Sequence, residues 1–226
     1  MLVCRQFVGR PFCFSENDMY WRLYCIIAFH FLQCGRKIVI FAQKHMKLVV
    51  AYAVEGERFQ LDIPDQDVVF VKTGVGKVQA AMNLMRAIYE FRPDAILNVG
   101  TAGTIRHNVG DVFVCRNFID RDLEKVALPG IGSRISFDNK IGISKIDGCD
   151  DMCWCNTGDS FVTDICDIEG DVVDMEAYAE AEVCKSMNIP FVSVKYVTDV
   201  IGQNSVEDWA SKLSDARTGL RRFFES

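Results

Sequence analysis

The sequence predicts an α/β fold from residue 46 onward, on three observations. Short β-branched apolar runs alternate with amphipathic stretches of helical period, glycines punctuate the ends of the apolar runs, and no internal repeat or linker divides the region. LVVAYAV (48–54) and DVVFVKT (67–73) are runs of the kind that form buried strands. Lys77 to Phe91 predicts a helix with Ala80, Leu84, Ala87, Ile88 and Phe91 on one face, stopped by the Arg92-Pro93 step. AILNVG (95–100) and VGDVFVC (109–115) are the next strands. After an irregular stretch, GDVVDM (170–175) leads into a helix over 177–187, PFVSVKYV (190–197) is a strand, and 205–224 closes the chain as a helix.

Residues 1–45 differ in kind. They hold six Lys/Arg and two acids, a net of +4, which leaves 19 bases and 29 acids, a net of −10, for 46–226. The apolar run LYCIIAFHFLQC (23–34) is shorter than the ~20 residues of a membrane span, and Glu16 and Asp18 spoil it as a signal peptide. This segment reads as an atypical extension, non-native or flexible, with Met46 as the natural start. An acidic body repels phosphate backbones, so the expectation is a small-molecule ligand, with no nucleic acid and no membrane as partner.

The ten cysteines sit in a chain large enough to bury a core, so reduced thiols are expected in place of disulfide staples. Cys149, Cys153 and Cys155 form a C-x3-C-x-C cluster, but no fourth ligand follows at zinc spacing, and the only histidine beyond residue 46 is His107.

Two glycine-rich segments bear on ligand binding. Thr73-Gly74-Val75-Gly76-Lys77 fails the Walker pattern, because Val71 and Val78 stand where Gly and Ser/Thr belong, and it fails G-x-G-x-x-G at Gln79. It reads as a tight strand-to-helix turn. Asn98 to Gly103 (NVGTAG) reads as a second turn, whose small residues admit a ligand to the backbone.

Acids follow three strands: Glu55 and Glu57, then Asp174 and Glu176, then Asp199. Singly, each reads as a cap or a solvated charge. Adjacent parallel strands, however, deliver their C-terminal residues to one crevice, and convergent carboxylates there suit general acid–base work.

In this pattern the chain resembles the purine nucleoside phosphorylase/nucleosidase superfamily, and within it the methylthioadenosine/S-adenosylhomocysteine nucleosidases. The resemblance rests on MKLVVAYAVEGE (46–57), TGVGKVQAA (73–81), NVGTAG (98–103), GDSFV (158–162), VVDMEAYAEAEVC (172–184) and the strand ending in Thr198-Asp199. It implies a three-layer α/β/α architecture around a central mixed, largely parallel sheet. It also implies hydrolysis of a purine N-glycosidic bond in the manner of an inverting glycosidase, no cofactor or metal, a homodimer, and a cytoplasmic location.

By the same resemblance Glu57 activates water, with Glu55 as the alternative, and Asp199 is the general acid at purine N7. Glu176 grips the ribose hydroxyls, Met175 packs under the ribose, Phe161 stacks on the purine, and the Val162 backbone reads the base edge. Thr101, with Ala102 and Gly103, stands beside the water, and Trp209 aligns with an aromatic on the 5′ side. Asn98, where phosphorylases commonly carry Arg, and the acids of A-V-E-G-E favour water over phosphate. Arg58 and Arg106 keep a phosphorylase as the alternative, and a non-catalytic nucleoside-binding module is the second. Between Asp122 and Gly158 the chain is shorter than its family and Gly- and Cys-rich, which leaves the 5′ substituent open.

Overall fold

The computed structural model describes residues 45–126, 129–149, 153–163, 168–203 and 205–225. Of the 1–45 extension expected above, residues 1–44 lie outside them. The first strand, β1 (Met46–Tyr52), pairs in parallel with β2 (Gln66–Lys72) on one side and with β3 (Ala95–Thr104) on the other. β3 in turn pairs in parallel with β8 (Phe191–Val200), which runs antiparallel to β4 (Val112–Asp120). β4 pairs in parallel with β6 (Cys153–Thr157) and antiparallel with the short β5 (Arg134–Ser136). β7 (Val172–Asp174) lies parallel to β6 and antiparallel to β3, so β3, β8, β4, β6 and β7 close a circuit of pairings.

Alternation along the strands sorts the core into two layers. Val49 and Ala51 of β1 and Ile96 of β3 pack with Leu84 and Ile88 of α1 (Lys77–Phe91) and Ala177, Ala181 and Cys184 of α4 (Ala177–Met187). Leu48 and Val50 of β1, Leu97 and Val99 of β3, and Val192 and Val194 of β8 point the other way, onto Ala216 and Leu220 of α5 (Ser205–Glu225). A strand's period of two therefore generates the three-layer α/β/α sandwich with its mixed sheet. Two single-turn helices, α2 (Arg121–Glu124) and α3 (Ser144–Asp147), complete the described elements. Residues 45–226 form one compact unit.

Helix ends follow local chemistry. α1 starts after Gly76 (φ 87°) and stops at Arg92 in the left-handed region, before Pro93; α4 stops at Asn188, also left-handed. The expected turn at Asn98–Gly103 is instead strand. β3 runs through it because β8 pairs alongside as far as Thr104, with a bulge between Ala102 and Gly103. The glycines answer to packing there: a Cβ on Gly103 would lie 2.9 Å from Asp199 Oδ2, and one on Gly100 would lie 3.2 Å from Glu57 Oε1.

Candidate active site

The C-terminal ends of β1, β3 and β8, which run parallel, open into one cavity of about 380 Å³. The third acid-bearing strand departs from expectation. β7 reaches the crevice antiparallel to β3, so Glu176 arrives from the opposite direction. All ten residues singled out from the sequence line this cavity: Glu57, Thr101, Ala102, Gly103, Phe161, Val162, Met175, Glu176, Asp199 and Trp209.

Glu57 ends a 3₁₀ turn that follows β1 and is 3% exposed. Its Oε2 accepts from the backbone N–H groups of Ala53 and Val54, each at 3.1 Å. Its Oε1 accepts from the backbone N–H and the hydroxyl of Thr101, both at 2.8 Å. Four donors fix its orientation and stabilise its charge. Glu55, the alternative, is largely exposed and lies 3.7 Å from Arg58.

Asp199 is 2% exposed near the end of β8, and its Oδ1 accepts from the Thr198 hydroxyl at 2.8 Å. Glu176 precedes α4, and its Oε1 accepts from the Gly76 backbone N–H at 2.8 Å. The T-G-V-G turn thus serves the site through one amide. Burial, reinforced by the charge of Asp174, pushes the Glu176 carboxyl up to about 8.

One wall of the cavity is built on residues 158–162. Phe161, 39% exposed, meets Trp209 edge to face with ring centroids 6.4 Å apart, and Val162 packs against Ile168, Val173 and Ile201. The Trp209 indole donates to Thr101 Oγ1 at 2.9 Å, which ties α5 to β3.

Three functional neighbours escaped the sequence reading. Lys195 is 2% exposed, and its ammonium lies 2.8 Å from Asp174. Burial alone would raise Asp174, but Lys195, the Thr157 hydroxyl and the Ala177 N–H hold it below the usual carboxylate range. Arg121, 6% exposed, donates to the carbonyls of Asn156, Asp174, Gly158 and Ser160, and so clamps the segment that leads to Phe161 and Val162. Glu180 lies one turn beyond Glu176 and is fully buried. A lysine inside the largely apolar run PFVSVKYV was the available signal for the first; Arg121 offered none.

Arg58 and Arg106 do not line this cavity. Of the expected cysteine cluster, Cys153 and Cys155 are buried in β6, and Cys115 Sγ lies 3.0 Å from Cys153 Sγ. Among the described residues no cluster of three or more His, Cys, Asp or Glu has a metal-binding arrangement.

Comparison with known proteins matches this architecture. The family model described as the phosphorylase superfamily matches residues 44–155 and 157–225. The 5′-methylthioadenosine/S-adenosylhomocysteine nucleosidase of Bacillus subtilis (strain 168) is 31% identical over 163 residues, covering 62% of this chain and 71% of the relative. That of Bacillus velezensis is 32% identical over 164 residues, with the same coverage. Among solved structures, the nucleosidase of Colwellia psychrerythraea 34H in complex with adenine superposes with a TM-score of 0.69 at 23% identity, over 80% of this chain and 93% of that one. The Arabidopsis thaliana 5′-methylthioadenosine nucleosidase gives 0.66 at 22%, over 79% and 92%. With the family model spanning nearly all of the described unit, the chain belongs to the phosphorylase superfamily and is similar to its methylthioadenosine/S-adenosylhomocysteine nucleosidases.

Proposed function

We propose that the chain hydrolyses the N-glycosidic bond of a purine nucleoside of the methylthioadenosine/adenosylhomocysteine type, releasing the free base. The observation that carries this reading is the convergence of Glu57, Glu176 and Asp199 on one cavity. Asp199 gives its proton to purine N7 as the C1′–N9 bond breaks. Glu57 takes a proton from water as the new C1′–O bond forms, and Glu176 accepts from the ribose 2′ and 3′ hydroxyls. Met175 supports the ribose, Phe161 and the Val162 backbone hold the base, and Trp209 closes the 5′ side. Positive charge building on the ribose is met by the buried carboxylates.

Water is favoured over phosphate as the nucleophile. Arg121 is the one cation lining the cavity among the described residues, and its guanidinium is committed to four backbone carbonyls. An anion beside Glu57 would meet repulsion with no available counter-charge. The test is purine release from methylthioadenosine, adenosylhomocysteine, adenosine and inosine, with and without phosphate. Release without phosphate is expected. Release that requires phosphate would make the chain a phosphorylase, and tight binding with no release would make it a binding module.

The activity is assigned to residues 46–226, which hold every site residue. The partner is a second copy of the chain: Val78, Met82 and Tyr89 form an exposed apolar stripe on α1, and exposed Val75 at its head also lines the cavity. No helix among the described residues is long and apolar enough to cross a membrane, and the proposed site of action is the cytoplasm.

A further inference from the structure

Glu180 has no part in the chemistry above, yet its position calls for an account. It is 0% exposed, and neither carboxylate oxygen makes a hydrogen bond of good geometry, with only weak polar contacts from Thr73 and Asn98. A buried carboxylate in that state is costly when ionised and is rare without a reason.

Its surroundings define a charge cluster. Lys195 from β8 and Asp174 from β7 act on it, as do the side chains of Thr73, just past β2, and Asn98, within β3, and Cys184 lies one turn further along α4. Lys195 is bonded to Asp174 and also feels Glu176 and the buried thiol of Cys155. One ammonium therefore serves three buried carboxylates, and with the buried Glu57, whose charge also acts on Glu176, full ionisation would leave the group at a net charge of −3. Like charges so close in a dry interior cannot all persist. Asp174 keeps its charge, because it alone has the ammonium, a hydroxyl and an N–H as donors. That leaves Glu176 and Glu180, one turn apart at the head of α4, as the carboxyls that can carry a proton. Burial pushes the first to about 8 and the second to about 7, so between these pH values the pair holds about one proton.

Glu176 can offer both oxygens as acceptors to the two ribose hydroxyls only as a carboxylate, since protonation turns one oxygen into a donor while Oε1 already accepts from Gly76 N–H. We infer that Glu180 is a positioning residue that takes up the proton Glu176 gives away when ribose binds. The O–H bond on Glu176 breaks as one forms on Glu180, the cluster keeps its charge, and no proton has to escape past a bound nucleoside. This inference rests on the nucleoside reading above.

Calorimetry in two buffers of different ionisation enthalpy tests it. The probe is a C-nucleoside analogue of methylthioadenosine, whose ribosyl–base bond is carbon–carbon and survives binding. Between pH 7 and 8 the wild-type chain should bind it with almost no proton release and a nearly constant Kd. Glu180→Gln and Glu180→Leu cannot take the proton, so each should release roughly half to one proton per analogue bound and weaken by up to about tenfold per unit of falling pH. A merely structural role would not change the proton count. Equal proton release in wild type and variants overturns the inference alone, as does release of half a proton or more by the wild type near pH 7.5, which needs no variant to fold. Failure of the wild type to bind the analogue overturns the nucleoside reading and the inference with it.

Discussion

The indole N–H of Trp209 donates to the hydroxyl of Thr101 at 2.9 Å, and that hydroxyl donates onward to Glu57 Oε1 at 2.8 Å. A hydroxyl has one proton to give, so accepting from the indole commits Thr101 to the carboxylate. The aromatic expected at the 5′ side is thereby also a support for Glu57, the proposed water-activating base, reached from a helix 108 residues later in the chain.

Thr101→Val removes a hydrogen bond to a charged acceptor and should lower kcat/KM about 10- to 100-fold, whereas Trp209→Phe removes a neutral one and should lower it about 2- to 10-fold. Steady-state purine release ranks the two. A larger loss in Trp209→Phe would mean that the indole's contact with substrate outweighs its contact with Thr101.

Asp199→Asn keeps the shape of the side chain and removes its acidic proton. General acid catalysis is worth about 10² to 10⁴-fold, so kcat should fall by that much while the thermal midpoint stays within a few degrees. Near-wild-type kcat refutes the role of Asp199 as general acid. Glu57→Gln should be equally inactive but also less stable, because an amide NH₂ would face one of the two donor pairs that now converge on the carboxylate.

What the sequence disclosed follows from range. α1 and α4 were legible through helical patterning and β1 and β8 through β-branched apolar runs, each over seven or more residues. β5 and β6, with three and five residues in a Cys-rich stretch, carry too little pattern to be seen alone, and Asn98–Gly103 misled because glycine signals a turn unless a neighbouring strand captures it. The acids facing the cavity were legible through the order of their motifs. Their partners were not: Lys195 and Asp174 are 21 positions apart, and Arg121 reaches carbonyls 35 to 53 positions away, so only the fold reveals either pairing.

The buried glutamates set the pH dependence of stability. Glu176 and Glu180 have folded-state values near 8 and 7, above the ordinary 4.5, so the folded chain binds more protons than the unfolded chain in between. Their contribution is therefore fully present below about 4.5 and is lost as pH rises through 7 to 8, on the order of 3 kcal/mol per group. Asp174, held low, works in the opposite sense and withdraws stability as pH falls through its lowered value. Thermal midpoints measured from pH 5 to 8.5 should decline toward the alkaline end, and Glu180→Gln should flatten that decline. A midpoint that rises steadily to pH 8.5 in the wild type contradicts this account.

Arg121 and Gly158 form a matched pair. The guanidinium donates to the Gly158 carbonyl at 2.9 Å, and a Cβ on Gly158 would stand 2.5 Å from Arg121 Nε and 2.6 Å from Cζ. Glycine is required there by the close approach of a buried, planar cation, since φ at this position is not in the left-handed region. Arg121→Met would strip four carbonyls of their donor, at about 3 kcal/mol of stability, and free the segment that presents Phe161 and Val162. Lysine offers no planar fork and should rescue little. Gly158→Ala should reproduce the defect by displacing the guanidinium. Because both act on one clamp, the double variant Arg121→Met with Gly158→Ala should lose less than the sum of the singles, in KM for the nucleoside more than in kcat. Additive losses in stability and KM would mean that the two residues hold the segment independently.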